Sequence, residues 1–162
     1  MNILLINHYA GSVSHGMEFR PYYLAREWVR QGHRVRIVAA SHAHVRTRQP
    51  SAESVHSGDT IDGIEYQWLP TPAYSGNSSA RAINIFTFAG KLLAASKRLA
   101  RDFKPDLVIA SSTHPFDIYG ARRIARLAGA RLIFEIHDLW PLSPIEIGGM
   151  SPYHPFILAI GA

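Results

Sequence analysis

The sequence predicts an α/β protein, a doubly wound parallel sheet of Rossmann-like form, and three observations carry that expectation. The chain opens on a short, continuous, branched apolar run, residues 3–6, bounded by the turn residues Asn7, His8 and Gly11. A buried parallel strand reads this way. Strand-like and helical patterns then alternate to the end, which implies a parallel sheet with helices on both faces. Finally, 162 residues with 47% hydrophobic and 18% charged character suit one globular domain, without internal repeats or low-complexity tracts.

The elements follow in order. Residues 17–31 turn helical, with Phe19, Tyr22, Tyr23, Ala25, Trp28 and Val29 roughly on one side. Pro21 falls in the first turn, where its missing N–H is tolerated, and Gly32 supplies the stop. Residues 34–40 form a second strand, completing a βαβ unit. Residues 42–62, polar, basic and rich in Ser and His, read as an exposed loop. Residues 63–69 give a third strand, closed by Pro70-Thr71-Pro72, and residues 74–79 a loop. A long helix spans 80–103, with Ile83, Phe86, Leu92, Leu93, Leu99 and Phe103 spaced for burial. Residues 107–110 are the fourth strand, 111–115 turn into a helix ending near Gly129, and 131–136 are the fifth, with 137–141 its exit loop. The apolar residues 155–162 look like the start of another element, so the domain is expected to span 1–155, with 156–162 opening a linker or helix.

Composition narrows the function. No cysteine is present, which removes disulfides and thiolate metal sites. The N-terminus lacks a basic region and cleavage site, and no apolar run is long enough to span a bilayer, so a cytoplasmic address is expected. A net charge of +5 favours anionic partners: nucleic acid, anionic lipid or a phosphorylated small molecule. No zinc finger, RRM signature or aromatic-interleaved basic stripe supports nucleic acid.

In open α/β sheets ligands sit beyond the carboxyl ends of the strands, where the strand order switches. An order of 3-2-1-4-5 puts that crevice between the first and fourth strands. Its rim is then residues 8–16, 111–114 and 137–138. Gly11 and Gly16 would let backbone approach a ligand, and the helix behind them favours an anion. The spacing is neither a dinucleotide fingerprint nor a phosphate loop, so a nicotinamide or flavin cofactor is not expected. His137 could exchange hydrogen bonds with a sugar hydroxyl and Asp138 could accept another; a satisfied histidine near the core surface fits His137 equally well. The nine histidines lack metal-ligand spacing, and no metal site is expected. Lys91, Lys97, Arg98, Arg101 and Lys104 give the long helix a basic face, either solvated or drawn to anionic headgroups.

Several stretches together resemble the family-four retaining glycosyltransferases, in particular those assembling colanic-acid, O-antigen or related bacterial polysaccharides. They are His8-Tyr9, His15-Gly16-Met17-Glu18-Phe19-Arg20-Pro21, Leu24-Ala25-Arg26-Glu27-Trp28 with Gly32-His33, Ile61-Asp62-Gly63-Ile64, Lys104-Pro105-Asp106-Leu107-Val108, and Phe134-Glu135-Ile136-His137-Asp138-Leu139-Trp140-Pro141. Lys-Pro-Asp before a strand is weak alone; the ordered set is specific and covers nearly the whole chain.

The resemblance implies a two-domain GT-B enzyme with a cleft between Rossmann-like halves, this chain being the N-terminal, acceptor-side half. The nucleotide-sugar donor, UDP- or GDP-linked, is a co-substrate, with no other cofactor and no required metal. The acceptor is a glycan or a lipid-linked glycan, and anomeric configuration is retained. His137 matches the histidine that reaches the transferred sugar, and Asp138 the acidic position after it. Gly11, His15 and Gly16 fall in the loop over donor phosphates and acceptor, and Ser111 and His114 on the opposite rim. Lys97, Arg98 and Arg101 would face an anionic membrane, giving a peripheral location on its inner side. The family's phosphate-binding Arg/Lys pair and E-x7-E segment lie in a second half absent from this sequence, so the chain alone is expected to be inactive and to bind nucleotide weakly. Two other readings share the architecture: a stand-alone docking module serving a separate catalytic subunit, with residues 156–160 as an apolar interface, and half of a sugar-nucleotide epimerase.

Overall fold

The computed structural model describes residues 1–76, 79–139, 141–154 and 157–158. Six strands form one sheet: β1 (Asn2–Ile6), β2 (Arg34–Ala40), β3 (Asp59–Ile61), β4 (Ile64–Leu69), β5 (Leu107–Ala110) and β6 (Arg131–Phe134). Their order is β3-β4-β2-β1-β5-β6. All neighbours pair in parallel except β3 and β4. The five strands legible in the sequence thus adopt the expected 3-2-1-4-5 order, and β3 adds an antiparallel edge.

Because side chains alternate across a strand, each central strand feeds two cores. Leu4 and Ile6 of β1, Val38 and Ala40 of β2, and Val108 and Ala110 of β5 face α3 (Ser79–Phe103) and α4 (Asp117–Ala128). There they meet Phe88, Leu92, Leu99, Phe103, Ala121 and Ile124. Ile3, Leu5, Val35, Ile37, Ile64, Tyr66 and Trp68 point the other way. They pack with Tyr22 and Ala25 of α1 (Arg20–Arg30). Gly120 permits close approach of α3 and α4, since a Cβ there would lie 2.6 Å from Cγ of Leu92.

Several expectations need correction, among them the fifth strand, which ends at Phe134 and not at residue 136. Residues 42–62 are not all loop: they contain α2 (Ala52–Ser57), capped by Ser51, and then β3. Gly63 belongs to the tight β3–β4 connection, with Asp62 and Gly63 at φ 50° and 78°, rather than to the strand. The first helix starts at Arg20, because residues 9–18 are tied into a loop in which Glu18 N–H donates to the Tyr9 carbonyl and Gly11 N–H to the Glu18 carbonyl. On α3, Ile83, Phe86 and Leu93 are exposed; burial is taken by Ile85, Phe88, Leu92, Leu99 and Phe103. On α1, Phe19 and Tyr23 are exposed as well.

The β6 end carries apolar surface in contact with solvent, including Ile133, Ile136, Leu139 and Leu142. A short α5 (Leu142–Glu146) follows. Within the apolar segment 156–160, Ile157 is buried and Leu158 exposed; the remainder, like Trp140 and residues 77–78, lies outside the described residues. No described helix is long and apolar enough to cross a membrane.

Candidate functional site

The loops after β1, β5 and β6 meet at the carboxyl edge of the sheet because those strands are neighbours. Asn7 stitches the first two loops: its side-chain amide donates to the Ser111 carbonyl at 2.5 Å, and His8 N–H donates to Ser112 Oγ at 3.0 Å. Around this seam the polar residues fall into three clusters.

The first cluster centres on Glu135, the residue after β6. Both terminal nitrogens of the Arg20 guanidinium donate to its carboxylate, and Ser111 Oγ donates to Oε2 at 2.6 Å. The Arg20 hydrogen bonds hold the Glu135 carboxyl below the usual carboxylate range, with Ser111 adding to the effect. His137 Nε2 lies 3.0 Å from Ser111 Oγ and 3.4 Å from Glu135 Oε2. Ser111 has one proton, and Glu135 takes it. Ser111 therefore accepts from His137, which places a proton on Nε2 and leaves Nδ1 outside this hydrogen-bonded chain. His137 is half-buried and Asp138 exposed at this rim.

A second cluster is a buried chain of imidazoles. The Asn84 amide nitrogen donates to the carbonyls of Pro72 (2.6 Å) and His42 (3.3 Å), which fixes its oxygen toward His8 Nε2 at 2.6 Å. His8 Nε2 must then donate, so Nδ1 of the neutral ring accepts from His114 Nε2 at 2.8 Å. Among the described residues no hydrogen-bond partner meets His114 Nδ1 or Asp117 Oδ1. Burial drives the His8 pKa well below the ordinary imidazole value and takes His114 to about 3, so both stay neutral. Burial also pushes Asp117 up to about 6, despite the Ser112 N–H that donates to it at 3.1 Å.

The third cluster lies on the β4 side of the first loop. His15 Nδ1 meets Ser12 Oγ at 2.9 Å, and its ring stands edge-on to Trp68. The His15 carbonyl accepts from Thr47 N–H and Arg48 N–H, both at 3.1 Å, joining this loop to residues 46–48. Behind it Arg46 is buried. Its guanidinium donates to the carbonyls of Ala10 (2.8 Å), Ala40 (2.8 Å) and His8 (3.3 Å) and stacks over Trp68. Burial lowers its pKa only to about 10, so it remains a cation, and among the described residues no carboxylate pairs with it. Placing positive charge behind a glycine loop favours an anion in front of it.

The structure therefore brings Ser111 and His137 together and separates them from His114, which is buried under the rim, and from His15, which faces Trp68. Gly11 is needed for internal packing: a Cβ there would lie 1.9 Å from the Gly16 carbonyl oxygen. Gly16 adopts φ +90°, and a Cβ there would meet Thr47 Oγ1 at 2.6 Å. Arg20, Glu135 and Arg46 were not singled out as site residues from the sequence, although the carboxylate inside the apolar run Phe134-Glu135-Ile136 was a visible signal. The basic residues of α3 divide. Lys97 is exposed, Arg101 is paired with Asp102 at 2.7 Å, and Arg98 lines a cavity of about 660 Å³ with Arg36, Glu65 and Gln67. That cavity lies away from the rim, and Glu65 already pairs with Arg34 and Arg36. Among the described residues no group of three or more His, Cys, Asp or Glu is placed to hold a metal ion.

A sheet of this order, with polar residues gathered at the switch between β1 and β5, defines a Rossmann-like α/β domain. The chain belongs to the Glycosyl transferase 4-like domain family, whose model matches residues 15–160. No curated protein matches it. Among solved structures it is similar to the C-terminal domain of a hydrogenase from Pyrococcus furiosus, seen in two forms. For residues 78–226 of that protein the TM-score is 0.52, and for residues 83–215 it is 0.54. In both, identity is 18%, over 83% of this chain and 90% of the other. At that identity the likeness concerns the fold alone.

Proposed function

We propose that this chain is the acceptor-side half of a retaining glycosyltransferase acting on a UDP- or GDP-linked sugar and a glycan or lipid-linked acceptor in bacterial polysaccharide assembly. The observation that carries the reading is the Arg20–Glu135–Ser111–His137 chain. It fixes an imidazole at the rim that can exchange a hydrogen bond with a sugar hydroxyl, and Asp138 beside it can accept another. The Gly11–Gly16 loop backed by the Arg46 cation suits the donor diphosphate, whose charge grows as the sugar leaves. Fixed positive charge gives more to that transition state than to the ground state. Most of the nucleotide would be gripped by a second, donor-binding half, so this chain alone should be inactive and bind nucleotide weakly. The location proposed is cytoplasmic, at the inner face of the membrane.

Saturation-transfer NMR with UDP-glucose, GDP-mannose and an oligosaccharide acceptor tests this. Saturation should fall on the transferred sugar and on the acceptor, little on the nucleobase, and should vanish in His137→Ala. Saturation centred on the base, or unchanged by His137→Ala, would overturn the reading.

A further inference from the structure

The misplaced apolar residues of α3 point to a second surface. Phe86, Leu93 and Lys97 recur at intervals of seven and four, one stripe of a helix. Phe86 is 50% exposed and Ile83, one turn earlier, 59%. The Phe86 ring lies 4.9 Å from that of Phe116, at the start of α4. Beyond Phe116, α4 exposes Tyr119, Arg122, Arg123, Arg126 and Leu127, a spacing that keeps all five on its outer half. Those five line one shallow depression of about 560 Å³. Among the described residues none of the three arginines has an ion pair, and the acidic residue of α4, Asp117, is buried.

Since α3 and α4 pack side by side on one face of the sheet, their outer sides make one surface. It combines aromatic and aliphatic side chains with unneutralised cations. A solvated face needs the cations but gains nothing from 68% exposure of Tyr119 or half-exposure of Phe86 and Leu127. An anionic bilayer uses both: rings and aliphatic chains enter the headgroup–acyl boundary while arginines meet phosphates.

We infer that the outer face of α3 and α4, centred on Phe86, Tyr119, Arg122, Arg123 and Arg126, docks the protein on an anionic lipid surface. This moves the membrane contact away from Arg98 and Arg101, one of which lines the β4 cavity while the other is paired with Asp102. The apolar end of the face adjoins the candidate site: the Phe116 ring is 5.8 Å from that of His114, and His114 is bonded to His8 of the first loop. A lipid-linked acceptor held in the headgroup layer would therefore present its glycan close to the rim. The inference deepens the lipid-linked-acceptor reading and rests on it for its purpose, but vesicle binding and sugar binding are measured separately.

The test is co-sedimentation with phosphatidylcholine vesicles with and without 30% phosphatidylglycerol (~30%, enough to give the anionic surface the argument needs). The chain should bind the anionic vesicles, less so as salt rises. Arg122→Glu/Arg123→Glu/Arg126→Glu should weaken binding by about a hundredfold or more. Phe86→Gln/Tyr119→Gln should weaken it by roughly tenfold while leaving the salt dependence. Lys91→Glu/Arg98→Glu, on the cavity side, should lose less than the α4 variant. All these residues are exposed, so unchanged circular-dichroism melts confirm folding. Equal binding to neutral vesicles, full binding by the folded α4 variant, or retention on single-stranded RNA but not on lipid would overturn the inference. Vesicle binding without any sugar binding would instead count against the transferase reading alone.

Discussion

Arg20, the first residue of α1, and Glu135, the residue after β6, lie 115 positions apart and form a two-pronged guanidinium–carboxylate pair across the carboxyl edge of the sheet. The pair is partly open to water, with side chains 47% and 28% exposed, so its direct worth to stability is about 1 kcal/mol or less. Its effect is on direction: it holds Glu135 where Ser111 must donate to it, and Ser111 in turn sets the ring of His137.

Glu135→Gln should therefore leave urea stability within about 1 kcal/mol yet abolish sugar binding. Ser111→Ala should do the same and also release the His137 tautomer. In the wild type, ¹⁵N imidazole shifts should show Nε2 of His137 carrying a proton, and in Ser111→Ala a mixture of tautomers. A single unchanged tautomer in the variant would show that Ser111 does not orient the ring.

The two loop glycines should respond differently. Gly11→Ala places a methyl against backbone that cannot swing aside, so equilibrium unfolding should show a loss of about 1–3 kcal/mol. Gly16→Ala meets a movable Thr47 side chain but puts alanine in the left-handed region, a strain of about 1–2 kcal/mol. Its larger effect should be on ligand affinity, by displacement of the loop.

Arg46→Lys keeps the charge and loses the fork. One ammonium cannot reach the separated carbonyls of Ala10 and Ala40 together; the His8 carbonyl keeps the Ala40 N–H, but a carbonyl left bare costs about 1–3 kcal/mol. Thermal melts should fall accordingly; a melting temperature equal to wild type would mean water replaces the guanidinium.

Acid should unfold the protein through its buried imidazoles. His8 and His114 are depressed in the folded state, so below the ordinary imidazole value the unfolded chain binds more protons. The stability they contribute is complete above about pH 6.5 and lost as pH falls. Asp117, raised to about 6, has the opposite sign: its contribution is present below the ordinary carboxylate value and lost as pH rises through 6. Two histidines outweigh one carboxyl between about pH 4 and 6, and each adds at most about 1.4 kcal/mol per pH unit. Urea midpoints at about pH 7.5 and pH 5 should differ less in His114→Gln than in wild type.

The sheet was legible because β1 and β5 are short continuous apolar runs, while β2 and β4 alternate or run apolar between turn residues, the patterns of buried strands. β3 and α2 were not, since Asp59-Thr60-Ile61 forms an edge with no core to fill, and Ala52–Ser57 has no apolar stripe. Ile83, Phe86 and Leu93 share the spacing of a buried face; only the position of α4 decides that they are outside. At the site, the edge and His137 could be read from strand ends, but the Arg20–Glu135 pair could not, because its partners meet only once β1, β5 and β6 are side by side. Arg46 sat in a stretch whose polarity suggested solvent, and its burial follows from the carbonyls it gathers at the ends of β1 and β2.

The most direct measurement is an amide map of the chain titrated with UDP-glucose or GDP-mannose and with an oligosaccharide acceptor. The account predicts shifts concentrated at Gly16, Ser111, Ser112, His137 and Asp138, with weak saturation by the nucleotide. Shifts confined to the cavity beside Arg36 and Arg98, or none at the three rim loops with any of these ligands, would contradict it.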